Sequence, residues 1–155
     1  MKSGLRSAPV RLLFASSLLL MASHVSAISD ERLHSMLEEL GHELEVRPQG
    51  GVGFSYHGVS MMLFSSAEAD RMRVMAPVAA LATLSSEQLL LAMQANIHSA
   101  LDVRYGISGQ TLYAAFLHPL SALSEQEFES ALGQLANLVL TFGSEYSSTG
   151  LTFGR

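Results

Sequence analysis

"LYAAFLHPLSALSEQEFESALGQLANLV", residues 112–139, changes its hydrophobic period from two to nearly four within one stretch. Leu112 to Leu117 is an apolar run of strand length that stops at His118-Pro119, where proline has no N–H to give to a ladder. Ser124-Glu125-Gln126-Glu127 then forms a capping box, Ser124 as N-cap with Glu127 reaching back. Phe128, Leu132, Leu135, Val139 and Phe142 follow as one helical stripe, which Gly143 ends. The stretch predicts a final strand leading directly into a capped helix whose apolar face needs a sheet to cover.

The residues before it supply that sheet. Val103, Tyr105 and Ile107 alternate, and Ser108-Gly109-Gln110 turns the chain back into the final strand. Further upstream, Val52, Phe54 and Tyr56 alternate, and His57-Gly58 makes a turn. Val59 to Phe64 is apolar on both faces, as in a strand covered on each side, and Ala67 to Asp70 makes a polar turn. Arg71 to Ala80 reads as a third strand, with Pro77 placing its end at an edge or outside the sheet.

Two more helices complete the pattern. Ser29 to His42 carries Leu33, Met36, Leu37, Leu40 and then Leu44 at one-face spacing, with Gly41 and Pro48 as stop signals. Ser85-Ser86-Glu87-Gln88 caps a helix that runs to about Ser99. That helix is apolar over most of its circumference, which calls for a second apolar contact beyond its own core. The order is α-β-β-β-α-β-β-α, an α+β domain with an antiparallel sheet packed by helices. One domain over residues 28–143 is expected, with a flexible tail over 144–155.

Composition narrows the function. The chain has 155 residues, 48% hydrophobic and 15% charged, which suits one globular core. It has no cysteine, so no disulfide or thiolate chemistry is available. From residue 28 onward six arginines face fourteen acidic residues, a net charge of −8, which argues against nucleic-acid binding. The first 27 residues have the three parts of a secretory signal: Lys2, Arg6 and Arg11, then an apolar run from Leu12 to Ala22, then Val25-Ser26-Ala27. The run is about half of the ~20 residues a spanning helix needs, and no later segment is expected to span a membrane.

Candidates for chemistry are few. His34, Glu38 and His42 share a helical face and could meet a metal ion, but they read better as the solvated side opposite the leucine stripe. Gly53-Phe54-Ser55-Tyr56-His57 lacks the final glycine of a nucleophile elbow and lies on a strand entering a hairpin. Arg71 and Arg73 share a strand face and could clamp a carboxylate or phosphate bidentately, but they read better as exposed ion pairs with Glu68 and Asp70 across the turn. No catalytic residue, metal or cofactor is assigned. Met36, Met61, Met62, Met72, Met75 and Met93 are many for a small domain, and methionine packs adaptably on surfaces that accept partners.

Three stretches resemble the small acidic chaperones of type III secretion, the CesT-like fold shared with YbjN-like proteins. They are "LHSMLEELGHELEV" for the first helix, "LLLAMQANIHSA" for the second, and the stretch quoted at the outset. The resemblance implies a non-enzymatic chaperone that holds a secreted effector or a secretion-apparatus protein in extended form, partly as an added strand. It implies Leu33, Met36, Leu37, Leu40, Phe54 and Met61 as the substrate groove. It also implies a homodimer, or a heterodimer with a related chaperone, through Leu90, Met93, Asn96 and Ile97. Such chaperones work in the cytoplasm without a signal peptide, which favours synthesis starting at Met21. A cleaved 1–27 segment would instead make this a periplasmic, YbjN-like binding or regulatory domain of unknown ligand.

Overall fold

A computed structural model describes residues 28–40, 42–46 and 51–149. Their order is α1 (Asp30–Leu40), β1 (His42–Val46), β2 (Val52–Tyr56), β3 (Val59–Ser66), β4 (Arg71–Ala80), α2 (Ser86–His98), β5 (Arg104–Ser108), β6 (Thr111–His118) and α3 (Glu125–Leu140). The six strands form one antiparallel sheet in the order β1-β2-β3-β4-β6-β5. This is the expected α+β fold, with one further short strand between the first helix and the expected sheet.

That strand corrects the end of the first helix. Helical spacing would carry Leu44 onto the α1 stripe, yet α1 stops at Leu40 and Leu44 sits exposed on β1. His42 to Val46 also reads with a period of two, and pairing with β2 decides between the readings. The hairpin turns follow their sequence signals. His57 and Gly58 both have positive φ, 49° and 79°, the backbone of a two-residue turn that matches strand twist. Asp70 takes φ 48° at the β3–β4 turn, and its carboxylate accepts hydrogen bonds from the Ser121 N–H and hydroxyl, both at 2.7 Å.

Alternation puts Val59, Met61 and Leu63, then Met72, Val74 and Ala76, then Leu112, Ala114 and Phe116 on one sheet face. All nine are buried. α3 lies across this face and presses Phe128, Leu132 and Leu135 into it. α1 adds Leu33, Met36 and Leu37 to the same core, and a forked ion pair between Arg32 and Glu125 joins α1 to α3. Removing these side chains from water is the main stabilising term of the fold.

Pro77 lies in β4, a central strand, paired with Tyr113 of β6. On the other side β3 pairs with β4 only as far as Met75, so β4 is locally an edge at Pro77 and its missing N–H costs no ladder bond there. The register slips between Pro77 and Ala79.

The tail expected to be loose is instead packed through Thr149. Tyr146, Ser147 and Ser148 are buried. Tyr146 meets Phe142 and Tyr105 edge-on at centroid distances of 5.1 and 6.4 Å. Ser148 accepts from the Leu101 N–H and donates to the Ser99 carbonyl, and Asn137 donates to the Ser148 carbonyl. Residues 144–149 therefore belong to the domain; residues 150–155 lie outside the described residues.

Candidate protein-binding surfaces

The groove expected on α1 and the first strands is filled by the chain's own core. Leu33, Met36, Leu37, Phe54 and Met61 are buried, Leu33 and Leu37 completely. Leu40 is half-buried against them. Phe54 and Met61 are cross-strand partners on the helix-covered face and belong to the same buried core as Leu33 and Leu37. In this conformation they offer a partner almost no surface.

α2 behaves differently. Its N-terminus is fixed by the predicted box: Ser85 accepts from the Gln88 N–H at 3.1 Å, and Gln88 accepts from the Ser85 N–H at 2.9 Å. Only small side chains, Ala92 and Ala95, are buried on it, so the helix sits close to its support. Leu90, Met93 and Ile97, spaced i, i+3, i+7, point outward; Leu90 is 58% and Ile97 76% exposed. Leu91 is exposed beside them. The second apolar contact that the sequence calls for on α2 is not made by these four side chains among the described residues.

Asn96, expected with those residues, does something else. Its side-chain amide donates to the Tyr105 carbonyl at 3.0 Å, and its carbonyl oxygen accepts from the Tyr105 N–H at 2.7 Å. The side chain thus pairs with β5 as a neighbouring strand would, closing part of an outer sheet edge. Its polar groups are committed within the chain.

A second surface surrounds the arginine pair of β4 that the sequence offers as a clamp for an anion; its apolar members are brought together only by the sheet. The sheet face opposite α1 and α3 carries Met62 and Phe64 of β3, Arg73 and Met75 of β4, and Tyr113 and Leu117 of β6. Phe64, Arg73 and Leu117 are exposed; Met62, Met75 and Tyr113 are half-buried. Two hollows, about 570 and about 230 Å³, open on this face and share Arg73 and Leu117 as lining residues. Val59 to Phe64, apolar on both faces, reads as a strand covered on each side, but α1 and α3 cover one face only.

No protein-family model matches the chain, and no curated protein matches it in sequence. Solved structures match its fold. The type III secretion chaperone SycH of Yersinia pestis, crystallised with a stable fragment of YscM2, superposes with a TM-score of 0.53 at 18% identity. That match covers 72% of this chain and 96% of the other. A chain of the HopA1–SchA chaperone–effector complex superposes with a TM-score of 0.53 at 12% identity, covering 70% and 85%. At such identities the likeness is one of fold.

The fold gives little support to chemistry at the other sites read from sequence. Among the described residues no group of three or more histidine, cysteine, aspartate or glutamate side chains is placed to hold a metal ion. His34 and Glu38 are exposed on α1, and the His42 side chain lies outside the described residues. Ser55 lies within β2, paired with Ser60, not at a strand-to-helix turn. Arg71 meets Asp70 at 3.9 Å, while no ion pair links Arg73 to any described residue. A polar cavity of about 480 Å³ between β6 and α3 is lined by Asp102, Arg104, His118 and Glu127. These groups are already engaged: Asp102 by Gln134, Glu127 by Ser124, His118 through Nδ1 by the Pro119 carbonyl, and Arg104 by the Ala100, Leu101 and Val103 carbonyls. Among the described residues no helix is long and apolar enough to cross a membrane.

Proposed function

We propose that this chain is a chaperone-like, non-enzymatic module that binds a segment of a secreted protein or of a secretion component. The observation that carries the reading is the pair of uncovered apolar surfaces, the Leu90–Met93–Ile97 face of α2 and the open sheet face, on a monomer whose core is otherwise complete. The fold likeness to SycH and to the chaperone–effector complex supports the same reading. In it, the α2 face joins two copies, or this chain and a related one, and the partner segment is held elsewhere on the dimer. Burying those side chains stabilises the assembly by roughly 25 cal/mol per Å² of apolar area before ordering costs.

The test is isolation of the chain from its native cells, with hydrogen exchange on what comes with it. The reading expects a dimer bound to one stoichiometric protein, whose contacting segment is protected yet has no fold of its own. A monomer recovered alone from cells making their secreted proteins would end it. The reading also places the protein in the cytoplasm with synthesis starting at Met21. An intact native mass beginning at Ile28 would move it to the periplasm and favour the YbjN-like alternative.

A further inference from the structure

Two arginines of β4 give the open sheet face local positive charge on an acidic molecule. Glu45 of β1, in register with Gly53 and so on the same face as Met62, lies at the far edge of the sheet. Arg71 and Arg73 project from β4 on that face, Arg73 in register with Phe64 on one side and Leu117 on the other. Other cations of the described residues are spent: Arg32 on Glu125 and Glu39, Arg104 on backbone carbonyls. Arg73 has no ion pair with a described residue; Arg71 has a 3.9 Å contact to the Asp70 carboxylate, which Ser121 already holds, and one of its N–H groups donates to the Asp70 carbonyl at 2.6 Å. A guanidinium with apolar flanks is weakly hydrated and suits a carboxylate bidentately, and docking strengthens the pair by excluding water from it.

We infer that this face takes a segment of another protein in which a carboxylate lies between two apolar side chains. The apolar side chains seat in the two hollows that flank Arg73 and Leu117, and the carboxylate meets Arg73, with Arg71 beside it. The inference rests on the protein-binding reading above and adds to it the face and the partner's chemistry. Apolar burial supplies the affinity, and the arginines select acidic over neutral or basic segments. An anionic membrane or nucleic acid is a poorer fit, because two arginines stand against a net charge of −8 from residue 28 onward.

The probes are two short labelled peptides, one carrying Leu-Ser-Glu-Ser-Leu and one with glutamine in place of glutamate, followed by fluorescence anisotropy at low salt. Extended, each presents the three relevant side chains on one face. The glutamate peptide is expected to bind about fivefold tighter than its glutamine twin. Arg71→Gln with Arg73→Gln abolishes that preference, while Leu117→Ser weakens both peptides alike. Unchanged melting of the variants shows that they are folded. Equal binding of the two peptides, binding of neither, or a preference that survives the arginine substitutions overturns the inference. So does displacement of the glutamate peptide by anionic phosphatidylglycerol vesicles. Peptide binding lost instead in Leu90→Glu/Ile97→Glu moves the segment to α2 and leaves the protein-binding reading standing.

Discussion

Asn96 sits in a helix yet spends its whole amide on Tyr105 of the neighbouring strand. Replacing it by alanine leaves a part-buried N–H and C=O without partners, a cost of about 1–3 kcal/mol that a urea melt would register. Asn96→Asp keeps the acceptor and loses the donor, so a midpoint between alanine and wild type is expected. Gly51 is constrained differently, by φ 93° and by space. A Cβ there would lie 2.6 Å from the Leu63 carbonyl oxygen and 2.7 Å from the Phe64 ring. Gly51→Ala is expected to destabilise by about 1–3 kcal/mol, again read from the denaturation midpoint. Both residues act through backbone geometry that residue type alone does not disclose.

The helices divide by what their apolar residues face. On α1 the stripe is consumed internally, so Leu37→Ala should cost about 2–5 kcal/mol in global stability instead of selectively weakening a partner. On α2 the outward residues carry little of the fold. Leu90→Glu with Ile97→Glu should therefore leave the circular dichroism spectrum and melting temperature near wild type while converting a dimer to a monomer in light scattering. A wild-type chain that is already monomeric at cellular concentration would remove the dimer from the proposal. The methionines divide in the same way. Met36, Met61 and Met72 fill the core, Met62 and Met75 lie half-buried on the open sheet face, and Met93 is exposed on α2.

Across the molecule, a few polar ties close the domain, namely Ser121 to Asp70, Arg32 to Glu125 and the strap formed by residues 144–149, while Ser124 and Glu127 cap α3 locally. Hydrogen bonds from Ser121 hold the Asp70 carboxyl below its usual range. Arg32 does the same for Glu125, and Ser124 for Glu127. Each folded-state pKa is depressed, so the stability it contributes is complete above the unfolded carboxylate range. It is lost as pH falls through the lowered values. Melting temperature should be flat from neutral pH to about pH 5 and fall below about pH 4, and Asp70→Asn should flatten that acid limb. Tyr146→Ala, which empties the seat of the strap against Tyr105 and Phe142, should cost about 3 kcal/mol in a chemical melt.

Elements with a strong local signal were legible in advance. The two capping boxes, the His57-Gly58 turn and the α3 stripe depend on neighbours within a few residues, so their chemistry is written in the chain. The excess apolar surface of α2 was legible for the same reason, as a count against a periodic face. Three things required long-range packing. The segment from His42 to Val46 satisfies both periods, and β2 selected the strand. The Ser-rich stretch after Gly143 looks like a loose end until Tyr105, Ser99 and Asn137 supply partners 11 to 49 residues away. The open sheet face with its arginines exists only because both terminal helices pack on the other side. An alternating strand states that it has two faces, and only the placement of the helices decides which one meets water.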